Sequence, residues 1–363
     1  MKKYSRYGKL LGILLVGSLF CSACTGSSGK ERKQAPKTQI QTDLPEENLT
    51  EKPKNESKDQ ASASSSEIQD TGMEPAADAS AEPAADSERE NLQKEQPKEK
   101  VVETDWSEYF DGLHGAAVVY DTADRQYRIY NRKTAAVRRS PCSTFKIISS
   151  LAALENGILE PEDSTRTWSG EVFWNEDWNR DIDFYEAFRV SCVWYFRQLT
   201  DEVGQEKMQE TLDRLKYGNR DLSDWEGRLN TNNNNRALTG FWIESSLAIS
   251  PKEQVKVMKR IFSDPSVYSK NTQDALKQAM RLHGQTDEDD YPYPIYGKTG
   301  MGVAHGATVD AWYTGFMERP EGNVYFCVWL GQTDGREVSS AIAREIAVRI
   351  LSQESADHSF AVR

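Results

Sequence analysis

A hydroxyl and an amine lie three residues apart in Ser143-Thr144-Phe145-Lys146, at the start of a predicted helix. Positions i and i+3 of a helix share a face, so the Lys146 amine reaches the Ser143 hydroxyl. Serine is a weak nucleophile and needs a base, and a lysine serves as one only when burial lowers its pKa. Phe145, Ile147 and Ile148 supply apolar surroundings. Ser143 near a helix N-terminus also sets backbone N–H groups where an oxyanion would form. Lys298-Thr299-Gly300, just before a predicted strand, adds a cation and a hydroxyl for a substrate carboxylate. Its glycine lets an acyl chain lie against the strand.

Either motif alone arises often by chance, but S-x-x-K followed by K-T-G is the signature of serine β-lactamases and penicillin-binding proteins. Ser191-Cys192-Val193 follows Ser143 by 48 residues, and Tyr217-Gly218-Asn219 follows Ser191 by 26. With S-T-F-K, S-x-V, Y-G-N and K-T-G in this order, the sequence closely resembles the class D (oxacillinase-type) serine β-lactamases over residues 105–351. Trp178-Asn-Arg-Asp, Phe241-Trp242-Ile-Glu and Ile249-Ser-Pro-Lys-Glu-Gln look like that family as well.

The resemblance implies that Ser143 attacks a β-lactam carbonyl and becomes acylated. It implies that Lys146 takes up CO2 to become N6-carboxylysine, the general base of acylation and deacylation, with no cofactor beyond CO2 or bicarbonate. Trp242 would donate its indole N–H to that carbamate, Ser191 would relay protons toward the leaving nitrogen, and Val193 would keep water from the lysine. Tyr217 and Asn219 would belong to the substrate site. Lys298, Thr299 and Gly300 would shape the carboxylate site, and the N–H groups of Ser143 and Met301 would form the oxyanion hole. The family often adds an arginine from the last strand or closing helix. Arg336 and Arg344 are both candidates, and Arg344 is preferred.

Two other functions fit part of the pattern. A β-lactam sensor resembles class D enzymes in its C-terminal domain but holds its acyl group as a signal. This chain lacks the H-E-x-x-H zinc protease segment and the several transmembrane helices of such receptors. A cell-wall transpeptidase typically carries S-x-N where this sequence has Ser191-Cys192-Val193. The four histidines, His114, His283, His305 and His358, show neither metal-ligand spacing nor a G-x-S-x-G partner, so no metal is assigned. Asp287-Glu-Asp-Asp reads as a solvated loop rather than a calcium site. Cys142 and Cys192 flank two motif serines and could pair, but small buried hydrophobes are the preferred reading, and Cys327 reads as strand core. The polar run around Asn232 reads as a long loop at the lip of the site. Trp168, Trp174, Trp178, Trp225, Trp312 and Trp329 read as core or pocket wall.

The elements that must hold these residues follow from patterning. Gly115-Ala-Ala-Val-Val-Tyr and Gln126-Tyr-Arg-Ile-Tyr read as a hairpin, and residues 143–155 as a helix stopped by Gly157. Residues 161–263 read as helical with loops, including an amphipathic segment over 251–262. Strands over 311–317 and 324–330 and a helix over 340–351 close the domain. A sheet completed by both ends of the chain around a helical insert is α+β, or mixed α/β, architecture. The resemblance makes it a β-lactamase/transpeptidase-like fold with a central antiparallel sheet.

Of 363 residues, 45 are Lys or Arg and 57 Asp or Glu, a net charge of −12 that argues against nucleic acid as a partner. Lys2, Lys3, Arg6 and Lys9 precede an apolar run over residues 10–20, which reads as a signal peptide too short to span a bilayer. Ser22-Ala23-Cys24 resembles a lipoprotein lipobox, so residues 1–24 are expected to be a leader ending at a lipidated Cys24, as in a Gram-positive-type lipoprotein. The expected location is the outer face of the cell membrane, or otherwise secretion. Residues 25–100 contain no Phe, Trp or Tyr, and 17 Asp/Glu among Ser, Ala, Pro and Gln, which predicts a disordered tether. Residues 101–363 hold all nine tryptophans and are expected to form the β-lactam-binding domain. Oligomeric state is left open.

Overall fold

A computed structural model describes residues 99–229, 234–281 and 292–361. The leader, Cys24, nearly all of the tether, Asn232 and Asp287 lie outside the described residues. Six strands form one sheet in the order β1-β3-β2-β6-β5-β4. They are β1 (Lys100–Glu103), β2 (Gly115–Asp121), β3 (Gln126–Tyr130), β4 (Ile295–Ala304), β5 (Ala307–Met317) and β6 (Val324–Leu330). Both ends of the folded region therefore build the sheet, as the sequence predicts. Every pairing is antiparallel except that of β1, which runs parallel to β3. All four β1 residues are exposed, so this edge strand shows no in–out alternation that would set it apart from the tether before it. The sheet takes in Lys100, and Glu99 accepts from Lys259 Nζ at 2.5 Å.

Strands β2, β5 and β6 are covered on both faces, and their alternation sorts side chains into two cores. Val118, Tyr120, Trp312, Phe316, Cys327 and Trp329 face the helical insert. Ala117, Val119, Tyr313, Phe326, Val328 and Leu330 pack with α1 (Ser107–Phe110) and α8 (Ser340–Ala361). The insert between β3 and β4 contains α2 (Lys146–Glu155), α3 (Phe184–Arg189), α4 (Val193–Val203), α5 (Gln205–Leu215), α6 (Pro251–Phe262) and α7 (Lys270–Met280). Sequence sets several of their ends. Ser250 and Glu253 form a capping box at α6 with Pro251 in its first turn, and Gly157, at φ 62°, stops the chain beyond α2.

The strand expected over 311–317 starts earlier, at Ala307, the closing helix runs on to Ala361, and two further shifts involve the site. Residues 142–145 form a 3-10 turn, so α2 starts at Lys146 rather than Ser143. Cys142, the first residue of that turn, adopts the left-handed φ of 48°. Lys298-Thr299-Gly300 lies inside β4 rather than before a strand. Two glycines and a lysine within six residues hide that strand from propensity.

Candidate active site

The Ser143 turn is fixed by polar contacts from three directions. Cys142 N donates to Trp242 O at 3.0 Å, Thr144 Oγ1 donates to Pro141 O at 2.7 Å, and Gln254 Nε2 on α6 donates to Thr144 Oγ1 at 2.9 Å. Phe145 fills the space beneath, with ring centroids 5.2 Å from Phe241 and 5.7 Å from both Tyr217 and Trp242. A left-handed residue such as Cys142 costs about 1–2 kcal/mol and persists only where its surroundings over-determine it. Here it turns the chain so that Ser143 is half-buried beside the first residue of α2. Lys146 Nζ lies 2.8 Å from Ser143 Oγ, with only 1% of the residue exposed. Burial pushes the Lys146 amine down from 10.5 to about 8. Lys146 is therefore a base near neutrality, about one molecule in ten carrying the free amine at pH 7.

Ser191 repeats the device. It holds φ 57° between α3 and α4 and accepts from Lys298 Nζ at 3.1 Å. The same amine donates to Thr299 O at 3.1 Å and Thr299 Oγ1 at 3.3 Å. Lys298 is buried, and desolvation together with the charge of Lys146 drives its pKa well down. A charged Lys146 nearby disfavours protonation of Lys298, so like charges in a dry site add to the desolvation cost.

Strand β4 closes against the Ser143 turn. A Cβ on Gly300 would stand 3.0 Å from Pro141 O and from Thr144 Cγ2, so the glycine brings the following Met301 up to the nucleophile. A cleft of about 360 Å³ results, lined by Ser143, Ser191, Val193, Thr299, Gly300 and Met301 among others. Trp174, Trp178, Leu238, Ile243, Glu244 and Ser340 also stand in its wall. Leu238 and Ser340 went unassigned in the sequence, while Ile243 and Glu244 stand in the family-like Phe241-Trp242-Ile-Glu stretch but received no site role there. Trp174 is 76% exposed, an apolar rim for a ligand.

Tyr217, Asn219 and Arg344, expected in the substrate site, do not line this cleft, nor does Trp242, expected beside the Lys146 carbamate. Tyr217 is buried behind Phe145, and Trp242 stacks on the same ring. Asn219 clamps the neighbouring loop, donating from Nδ2 to Ser246 O at 2.7 Å and accepting from Ala248 N at 2.9 Å. The Tyr217-Gly218-Asn219 motif thus supports the floor under the nucleophile rather than touching the cleft. Gly218 has φ 48°, and a Cβ there would lie 2.0 Å from Ala248 O. Gly218→Ala is expected to destabilise the fold by about 3 kcal/mol or more, read as a lowered urea midpoint. Arg344 lines a second cavity of about 420 Å³ shared with Lys298 and Thr299 but not with Ser143. Arg336 is engaged by Asp111, at 2.8 Å to its carbonyl and 2.9 Å to its carboxylate. Cys142, Cys192 and Cys327 are buried free thiols, the hydrophobe reading rather than a disulfide.

Beside this arrangement of a serine, a buried amine and a second serine–lysine pair, residues 115–352 match the family of the penicillin binding protein transpeptidase domain. The chain belongs to that transpeptidase family. Among its relatives, the regulatory protein BlaR1 of Bacillus licheniformis is 32% identical over 72% of this chain and 41% of its own length. The chain thus spans well under half of that relative. The probable β-lactamase YbxI of Bacillus subtilis is 30% identical over 67% of this chain and 82% of its own. The solved C-terminal domain of the Bacillus licheniformis BlaR penicillin-receptor superposes with a TM-score of 0.61 at 31% identity, covering 71% of this chain and 98% of that one. This transpeptidase-family domain therefore has both β-lactamases and receptors as relatives.

Proposed function

We propose that the protein hydrolyses β-lactam antibiotics through an acyl-enzyme on Ser143, as a class D serine β-lactamase conferring β-lactam resistance. The observation that carries this reading is the 2.8 Å contact between Ser143 Oγ and a Lys146 amine that burial holds near 8. Ser143 Oγ attacks the lactam carbonyl as Lys146 takes its proton. The N–H groups of Ser143 and Met301 receive the oxyanion. The carbonyl–nitrogen bond then breaks, and Ser191, backed by Lys298, delivers a proton to the leaving nitrogen. Water completes the cycle by attacking the ester. Thr299 and Lys298 hold the ligand carboxylate.

Carboxylation of Lys146 by CO2 is part of the proposal, and the surroundings suit it. The Trp242 indole N–H is buried without an acceptor, a costly state that a carbamate oxygen would relieve. Such a carbamate would stay unprotonated at neutral pH, free to take a proton from the deacylating water, whereas most of the amine is protonated there. Export as a lipoprotein acylated at Cys24, with residues 25–100 as a tether, completes the proposal and rests on the sequence alone.

The receptor relatives favour a second reading, in which the acyl group is formed and retained as a signal. Steady-state hydrolysis of a penicillin by residues 99–363, with and without bicarbonate, separates the two. Sustained turnover that rises several-fold with bicarbonate is the expected result. A single stoichiometric burst with a stable adduct would exclude hydrolysis and leave the receptor reading.

A further inference from the structure

We infer that Glu244 is a positioning residue for the acylation step, a clamp that fixes the two halves of the oxyanion site relative to each other. The inference rests on Ser143 being acylated by β-lactams, whether or not the ester is later hydrolysed.

The two backbone donors come from separate parts of the chain, Ser143 from the 3-10 turn and Met301 from β4. Glu244 is tied to both. On the turn side, its own N–H donates to Ser140 Oγ at 2.8 Å, and Ser140 Oγ donates to Trp242 O at 2.9 Å. Cys142 N donates to that same carbonyl, so the loop bearing Glu244 and the segment leading into Ser143 are stitched together within three residues of the nucleophile. On the strand side, Glu244 Oε1 accepts from Val303 N at 2.7 Å.

Val303 stands where the β4–β5 pairing slips register, between Gly302 and Val303. A bulge locally disrupts the ladder, and here the Glu244 carboxylate accepts the Val303 N–H. The approach is close. A Cβ on Gly302 would stand 3.0 Å from Cys142 Sγ and 3.5 Å from Glu244 Oε1, so turn, loop and strand meet at this one glycine. Glu244 holds φ 50°, a conformation that aims its side chain across the gap at an energetic cost the clamp offsets. Its charge also borders the cleft, whose wall it joins.

The test is the rate of acylation of Ser143 by a fluorescent penicillin, measured against penicillin concentration so that the rate constant and the reversible binding constant separate. Loss of the clamp lets Met301 drift from Ser143, and misplacement by about 1 Å costs on the order of 100-fold. Glu244→Ala is expected to lower the rate constant by about 10- to 100-fold, with binding changed less than about twofold. Glu244→Gln keeps the Oε1 acceptor and is expected to restore the rate to within about threefold of the parent. A rate for Glu244→Ala within about threefold of the parent would overturn the inference. So would a Glu244→Gln variant as slow as Glu244→Ala, or a loss confined to binding. Should Glu244→Ala fail to fold, Glu244→Asp, one methylene short of Val303, carries the same comparison. If the parent itself is not labelled, the acylation reading fails instead, an outcome distinct from a fast Glu244→Ala.

Discussion

Ser143→Ala is expected to abolish covalent labelling by penicillin, with no mass increment on the intact protein and hydrolysis at the solution background. The fold should survive, because Ser143 is half-buried and its hydroxyl accepts from Lys146 Nζ rather than bracing another element. Removing one oxygen there changes stability by less than about 1 kcal/mol. Reversible penicillin binding should persist, since Thr299, Lys298 and the apolar rim at Trp174 are untouched. An adduct that forms on the variant at the parent's rate would place the nucleophile elsewhere.

Lys146→Met tests the base and yields two effects of opposite sign. Met keeps the volume and apolar contacts of the buried side chain but cannot accept a proton. Acylation should slow by about 10²- to 10⁴-fold, the usual worth of a positioned general base. In CO2-free buffer, the parent's acylation rate should rise about tenfold per pH unit below about 8 and level off above it, whereas the variant should show no such climb.

Stability moves the other way. A lysine at about 8 in the fold and 10.5 in the unfolded chain binds fewer protons when folded between those values. The parent therefore gains stability as pH rises through that window, and below it bears the full cost of burying the charge, about 3 kcal/mol at pH 7. Lys146→Met should accordingly raise the urea midpoint at pH 7, and its advantage should shrink toward pH 10.5. A variant that is less stable than its parent at pH 7 would contradict the burial argument. Active-site residues commonly trade stability for function in this way.

Particular residues show where local pattern sufficed and where it did not. The Ser143–Lys146 contact is a matter of three-residue spacing, and the helical periodicity of α6 or the β2–β3 alternation is equally local. Motif order carried the rest: Ser143, Ser191, Val193, Thr299, Gly300 and Met301 do gather at one cleft. Position within the site is another matter. Tyr217 is aromatic, and nothing in one dimension separates an aromatic that faces a ligand from one packed behind Phe145. Asn219 likewise spends its amide on the loop carrying Ser246 and Ala248.

What the chain order alone determined was therefore which groups could react and that both ends of the domain would build the sheet. Periodicity and short spacings are properties of a single element. Only the tertiary structure decided that Lys298 would meet Ser191 across 107 residues, and that Glu244 would reach Val303 across 59. It also made Lys146 a base, because desolvation depends on how completely Phe145, Phe196 and the neighbouring elements exclude water, which no stretch of sequence specifies by itself.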